Sequence, residues 1–220
     1  HGIFGYTGVF SKSYYNAFSN WTESRYNWSF ENHHLRTSPG IIPALYQLLD
    51  YYCKPKDKIL FVTPSYAYFK HAADYNSLEI VTSDLIEHDN YFTMDYADIE
   101  EKAKDEHVTL AILCNPHNPT GRIWTETELK TFADICIENN LLIISDEIHC
   151  DLLRAGQSHT PLAKLYPNSD QIITCMAPSK TFNMAGFKFS NIIIPNDSIR
   201  ATWDNRHIAM SNPLRITAAE

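Results

Sequence analysis

The sequence predicts an α/β domain whose mainly parallel sheet is covered by helices. Short, continuously apolar segments rich in Ile, Leu and Val alternate along the chain with amphipathic segments. Apolar runs of this kind are typical of strands that are buried on both faces. The βαβα alternation favours parallel strands joined by right-handed crossovers. A chain of 220 residues is also long enough for one sizeable hydrophobic core.

Two helices are predicted before the first strand of this sheet. Residues 13–28 carry aromatic side chains at three- and four-residue steps, which indicates an aromatic-faced helix. Residues 41–53 carry Ile and Leu at helical spacing directly after Pro39-Gly40.

Strands and helices then alternate to the end of the chain. The predicted strands are Ile59–Thr63, Leu78–Thr82, Val108–Cys114, Leu141–Asp146, Gln171–Met176 and Phe189–Pro195. The predicted helices are Tyr66–Tyr75, Tyr96–Asp105, Glu126–Asn139 and Ser198–Met210. Thr125 followed by Glu128 predicts a capping box at the start of the third of these helices.

Composition excludes several classes of protein. With 44% hydrophobic and 20% charged residues, the chain is neither disordered nor fibrous. A net charge of −8 argues against non-specific nucleic-acid binding, and no apolar run approaches the ~20 residues that span a bilayer. The five cysteines are widely spaced and contain no CxxC, so neither a disulfide framework nor a zinc site is predicted. We expect reduced cysteines in a cytoplasmic protein without a metal site.

Unusual polar residues follow three of the predicted strands. Residues 115–121 read NPHNPTG, residues 146–149 read DEIH, and residues 177–183 read APSKTFN. Each string has an ordinary alternative: a β–α loop, a helix cap at Asp146, or a solvated loop lysine at Lys180. However, ligands of open α/β sheets bind beyond the carboxyl ends of the strands. Their order on successive strands therefore favours one shared site.

Taken together, the strings resemble the aspartate aminotransferase superfamily, the fold type I enzymes that use pyridoxal 5′-phosphate (PLP). The likeness runs across nearly the whole chain and is strongest to the MalY/PatB cystathionine β-lyase (C–S lyase) branch. Further matching strings are HGIFGYT at His1–Thr7, SPGIIPAL at Ser38–Leu45 and TPSYAYF at Thr63–Phe69.

The resemblance implies the three-layer αβα large domain of fold type I. Residues 1–40 then lead into the large domain, residues 41–196 form the PLP-binding domain, and residues 197–220 begin a connection to a small C-terminal domain. We expect that small domain, with the arginine that grips the substrate carboxylate, to be absent from this chain.

The resemblance also implies roles for individual residues around the cofactor ring. Lys180 matches the lysine that holds PLP as a Schiff base and removes the substrate Cα proton. Asp146 matches the carboxylate that pairs with the pyridine nitrogen. Asn118 and His149 match positions that contact the phenolic oxygen, and Tyr66 matches the aromatic residue stacked on the ring.

At the phosphate end, the resemblance points to Gly40-Ile41-Ile42, where backbone amides open a helix. Ser179 and Lys188 are candidate side-chain ligands of the phosphate. Many relatives have a serine in place of Ala177 and an arginine in place of Lys188, so the chain departs from the pattern here. Tyr6 matches a tyrosine that reaches the phosphate of the partner subunit, which implies a homodimer.

The implied reaction is the α,β-elimination of cystathionine or a cysteine S-conjugate to a thiol, pyruvate and ammonia. The expected partner is therefore a small sulfur-containing amino acid, with no nucleic acid or membrane. Two alternatives stay open: a class I/II aminotransferase on the same scaffold, and a non-catalytic regulatory or binding protein. A nucleotide-binding protein of another kind lacks support, because neither GxGxxG after a strand nor GxxxxGK[ST] is present.

Overall fold

A seven-stranded sheet lies between two layers of helices in the computed structural model, which describes residues 11–209. The strands are β1 Leu35–Ser38, β2 Lys58–Thr63, β3 Glu79–Asp84, β4 Ile86–His88, β5 Tyr91–Thr93, β6 Val108–Cys114, β7 Leu142–Asp146, β8 Ile172–Met176 and β9 Ser190–Ile193. The helices are α1 Lys12–Tyr26, α2 Ile41–Tyr52, α3 Ala67–Tyr75, α4 Tyr96–Ala103, α5 Glu126–Glu138, α6 Leu162–Leu165, α7 Pro178–Thr181 and α8 Asp197–Ala209.

The sheet has the strand order β1-β9-β8-β7-β6-β2-β3. Neighbouring strands from β8 to β3 run parallel, whereas β9 is antiparallel to both β8 and β1. This arrangement confirms the predicted α/β fold with a mainly parallel sheet. The hairpin of β4 and β5 forms a separate two-stranded sheet.

Each face of the sheet has its own hydrophobic core. On one face, α2, α3 and α8 cover the sheet through fully buried side chains such as Leu48 and Trp203. On the other face, α4, α5 and α6 do the same through Leu129 and Phe132. Burial on both faces explains why these strands read as continuous apolar runs.

The ends of the predicted helices and strands all lie within two residues of the observed ends, as far as the structure describes them. The capping box at Thr125 and Glu128 is confirmed, since each side chain accepts the other residue's backbone N–H. The aromatic face of α1 packs on Cys150 and Met176. Strand β1, the β4–β5 hairpin and the one-turn helices α6 and α7 were not predicted.

The register places the ends of three parallel strands side by side. Cys114 of β6 pairs with Asp146 of β7, and Asp146 pairs with Cys175 of β8. The loops after these strands therefore leave the sheet at one edge. Within residues 11–209, no helix is long and apolar enough to cross a membrane.

Candidate active site

A cavity of about 370 Å³ lies at this edge of the sheet. All ten predicted site residues within the described part of the chain line it. They are Gly40, Ile41, Ile42, Tyr66, Asn118, Asp146, His149, Ser179, Lys180 and Lys188. The eleventh, Tyr6, lies outside the described residues.

Asp146 lines the cavity at the end of β7. The residue is 5% exposed, and its Oδ1 accepts one hydrogen bond, from the Ile148 N–H at 3.2 Å. Burial raises the pKa of Asp146 to about 7, and the neighbouring Glu147 adds to the rise. A buried carboxylate with so few donors is stabilised by a nearby cation. The site therefore favours a ligand that brings a positive charge to Asp146.

Lys180 lies in α7, one turn beyond the end of β8. Its ammonium group is close enough to Asp146 to oppose the rise of that carboxyl's pKa. It also lies near His149, whose pKa is lowered mainly by burial and further by the Lys180 charge. Successive parallel strands thus bring an amine and a buried carboxyl group to the same cavity.

Another part of the cavity lining is suited to an anion. Helix α2 begins here, and Gly40 at its N-cap has a φ of +142°, which side-chain-bearing residues rarely adopt. The N–H groups of Ile41 and Ile42 lie in the first helical turn, where no intrahelical acceptor exists, and Gly40 provides no side-chain cap. Together with the Lys188 side chain, these N–H groups form a cradle for a phosphate.

Tyr66 and Asn118 occupy the sides of the cavity. Tyr66 is the N-cap residue of α3, and burial raises the pKa of its phenol. The Asn118 N–H donates to Cys114 Sγ, at the end of β6, at 3.4 Å, and within the NPHNPTG loop His117 Nδ1 lies 2.7 Å from Thr120 Oγ1. Contacts of the protein itself therefore hold this loop.

Sequence reasoning missed a buried polar network behind Asp146. Glu147 is completely buried and accepts hydrogen bonds from Ser145 Oγ at 2.9 Å and the Leu162 N–H at 3.0 Å. His159 Nε2 lies 2.8 Å from the same carboxylate. The DEIH string showed two adjacent acids, but not that only Asp146 faces the cavity while Glu147 is held in the core.

The donor set fits PLP. A flat ring that carries a phosphate and a basic nitrogen matches the cradle at α2 and the buried carboxyl group of Asp146. Lys180 supplies an amine that could hold the carbonyl carbon of such a cofactor, and Tyr66 supplies an aromatic ring. The cradle, the buried carboxyl group and the amine thus each have a chemically suitable partner in this one cofactor.

Comparisons with known proteins agree with this assignment of the cofactor. The family model "Aminotransferase class I and II" matches residues 1–217. Cystathionine beta-lyase PatB of Bacillus subtilis (strain 168) is 41% identical over 204 residues, which is 92% of this chain and 52% of PatB. Protein MalY of Escherichia coli (strain K12) is 26% identical over 92% of this chain and 52% of MalY.

A solved structure is more similar still. The PLP-bound C-S lyase from Staphylococcus hominis is 50% identical, with a TM-score of 0.92 over 96% of this chain and 54% of the lyase. The chain therefore spans about half the length of the proteins it matches.

Proposed function

Because the chain belongs to the class I and II aminotransferase family, as its motifs predict, we propose that it binds PLP in the cavity at the carboxyl edge of the sheet. We further propose that the whole protein is a C–S lyase that cleaves cystathionine or a cysteine S-conjugate. The observation that carries the proposal is the placement of Lys180 and the buried Asp146 at adjacent strand ends around one cavity. The names of PatB and of the Staphylococcus hominis lyase support the choice of reaction.

Bound PLP supplies an electron sink for the negative charge that develops at the substrate Cα. The protein's own residues prepare that sink. Asp146, as a carboxylate, holds a proton on the ring nitrogen, and this partner stabilises the charge that burial otherwise disfavours. The first-turn N–H groups of α2 and Lys188 would hold the phosphate, and Tyr66 would offer its ring to the cofactor.

Lys180 is the residue that takes the proton from the substrate Cα. When its amine is free and neutral, Lys180 would accept the substrate Cα proton as a general base. Loss of the thiolate from Cβ then leaves an unsaturated amino acid that hydrolyses to pyruvate and ammonia. Burial lowers the pKa of His149 and the Lys180 charge lowers it further, which favours a neutral imidazole beside this amine.

The aminotransferase alternative shares these cofactor contacts, and the description of the matching family model favours it. A lyase releases thiol and pyruvate from cystathionine without a keto acid, whereas an aminotransferase needs one. We also propose a homodimer in which Tyr6 reaches the partner's phosphate site, as the resemblance of His1–Thr7 implies.

The test replaces Lys180 in the PLP-loaded full-length protein. We expect Lys180→Ala to lower pyruvate release by at least about 10²-fold, the lower range for loss of a general base, and to abolish the absorbance of lysine-bound cofactor. Lys70→Ala is the control, because Lys70 is exposed on α3 and pairs with Asp74 at 2.7 Å. Full pyruvate release by Lys180→Ala refutes the proposal.

A further inference from the structure

A second carboxylate connects the two segments that carry Asp146 and Lys180. Asp151 ends the turn of residues 148–151 that follows Asp146, and its side chain is only 6% exposed. Its Oδ2 accepts a hydrogen bond from Thr181 Oγ1 at 2.8 Å. Thr181 is the residue after Lys180, so this bond joins the Asp146 turn directly to the lysine's own helix.

Helix α1 completes the environment of Asp151. Asp151 Oδ1 accepts a hydrogen bond from the Tyr26 hydroxyl and forms an ion pair with Arg25 Nε at 2.9 Å. Two hydrogen bonds and an ion pair to a guanidinium hold this carboxylate in one position. Asp151 is therefore fixed by α1 on one side and available as a rigid acceptor for Thr181 on the other.

The position of helix α7 depends on the hydrogen bond between Thr181 and Asp151, because the helix has only four residues. Within residues 11–209, this is the one side-chain hydrogen bond that connects α7 to another segment. A ring contact at 5.4 Å between Phe182 and Trp21 of α1 packs the same turn. A single turn of helix has little stability of its own, so external contacts decide where Lys180 lies.

We propose that Asp151 and Thr181 are positioning residues that hold Lys180 against the cofactor and the substrate Cα. The inference rests on the proposed function, because it assigns Lys180 the role of base. Neither side chain lines the cavity that contains Lys180 and Asp146. Their effect on the reaction is therefore exerted through the position of α7.

The matched pair Thr181→Val and Thr181→Ser tests this inference in the PLP-loaded full-length protein. Valine keeps the shape of threonine and removes the hydroxyl, whereas serine keeps the hydroxyl. Misplacement of a reacting group by about 1 Å lowers rates by up to about 10²-fold. We expect Thr181→Val to lower kcat by about 10- to 100-fold while KM changes by less than about twofold.

Two further measurements separate positioning from a loss of stability. The visible circular dichroism of the bound cofactor reports its orientation, and we expect it to change in Thr181→Val and to be restored in Thr181→Ser. Thr131→Val is the control, because the Thr131 hydroxyl donates only to the Thr127 carbonyl of its own helix, at 2.9 Å. We expect wild-type kcat and wild-type dichroism from this variant.

The outcomes are distinct. Wild-type kcat and dichroism in a folded Thr181→Val variant overturn the inference and leave the proposed function intact. Equal losses in Thr181→Val and Thr181→Ser overturn it as well, because the hydroxyl is then not the cause. If the wild-type protein binds no PLP at all, both the proposed function and the inference are refuted.

Discussion

The buried carboxyl group of Asp146 predicts an unusual pH dependence for the apoprotein. Burial raises its pKa from 3.8 to about 7. The native state therefore holds this proton more tightly than the unfolded chain does. Below about pH 4 this group leaves the free energy of unfolding of the apoprotein unchanged. The free energy of unfolding then falls as the pH rises from about 4 to about 7, and it stays at the lower value above about pH 7.

The size of the effect follows from the shift. Each unit of pKa is worth about 1.4 kcal/mol, so the rise from 3.8 to about 7 lowers the free energy of unfolding by about 4 kcal/mol. Asp146→Asn removes the titrating group but keeps its shape. We expect the stability of wild-type apoprotein relative to this variant to fall by up to about 4 kcal/mol between about pH 4 and about pH 8.

Urea unfolding of the full-length apoprotein, at one protein concentration and several pH values, measures this difference. Asp74→Asn is the control, because Asp74 forms an exposed ion pair with Lys70, and such pairs contribute about 0–1 kcal/mol. Saturating PLP should flatten the pH dependence, since a cation beside Asp146 stabilises the carboxylate. A difference between wild type and Asp146→Asn that stays constant or rises with pH refutes the reasoning.

Two further changes test the phosphate end of the site and the core beneath it. Gly40→Ala places a side chain where φ is +142° and its Cβ lies 3.4 Å from Pro43 Cδ, so we expect the Kd for PLP to rise about tenfold in a spectroscopic titration. Gly156→Ala, at a φ of +80° with open space around it, should leave PLP affinity unchanged, and equal affinities in both variants contradict the cradle. Leu48→Ala empties a fully buried position in α2 and should cost about 2–5 kcal/mol in urea unfolding. Leu152→Ala, at a residue 54% exposed, should cost about 0.5 kcal/mol or less, and similar losses in the two leucine variants contradict the assigned core.

The sequence allowed the main sheet to be predicted because its strands are buried on both faces. Runs such as Val108–Cys114 and Ile172–Met176 are almost entirely apolar, so their position is visible without tertiary information. Strand β1 was missed because its four residues, LRTS, are mostly polar and form an edge of the sheet. Its strand character depends on pairing with β9, which no local pattern reveals.

Some residues of the candidate site could likewise be predicted from the sequence, and others could not. Lys180 and Asp146 could be predicted because Asp146 ends one apolar strand and Lys180 comes shortly after the next, both in recognisable strings. Asp151 and Glu147 could not, since their contacts come from residues far along the chain, such as Tyr26 and His159. Acidic side chains are usually exposed, and only the three-dimensional structure shows that these two are buried acceptors.

The reversed strand β9 also determines when the site can form during synthesis. Ser190 Oγ donates to the Ser38 carbonyl across a separation of 152 residues, and within residues 11–209 β1 pairs only with β9. Gly40 and the start of α2 follow two residues after this pairing. Contacts so distant along the chain form late, because a long loop must close first. The ribosome must therefore release the chain to about residue 193 before β1 and the adjoining phosphate cradle can take their final positions. Binding of PLP then indicates that this domain has folded.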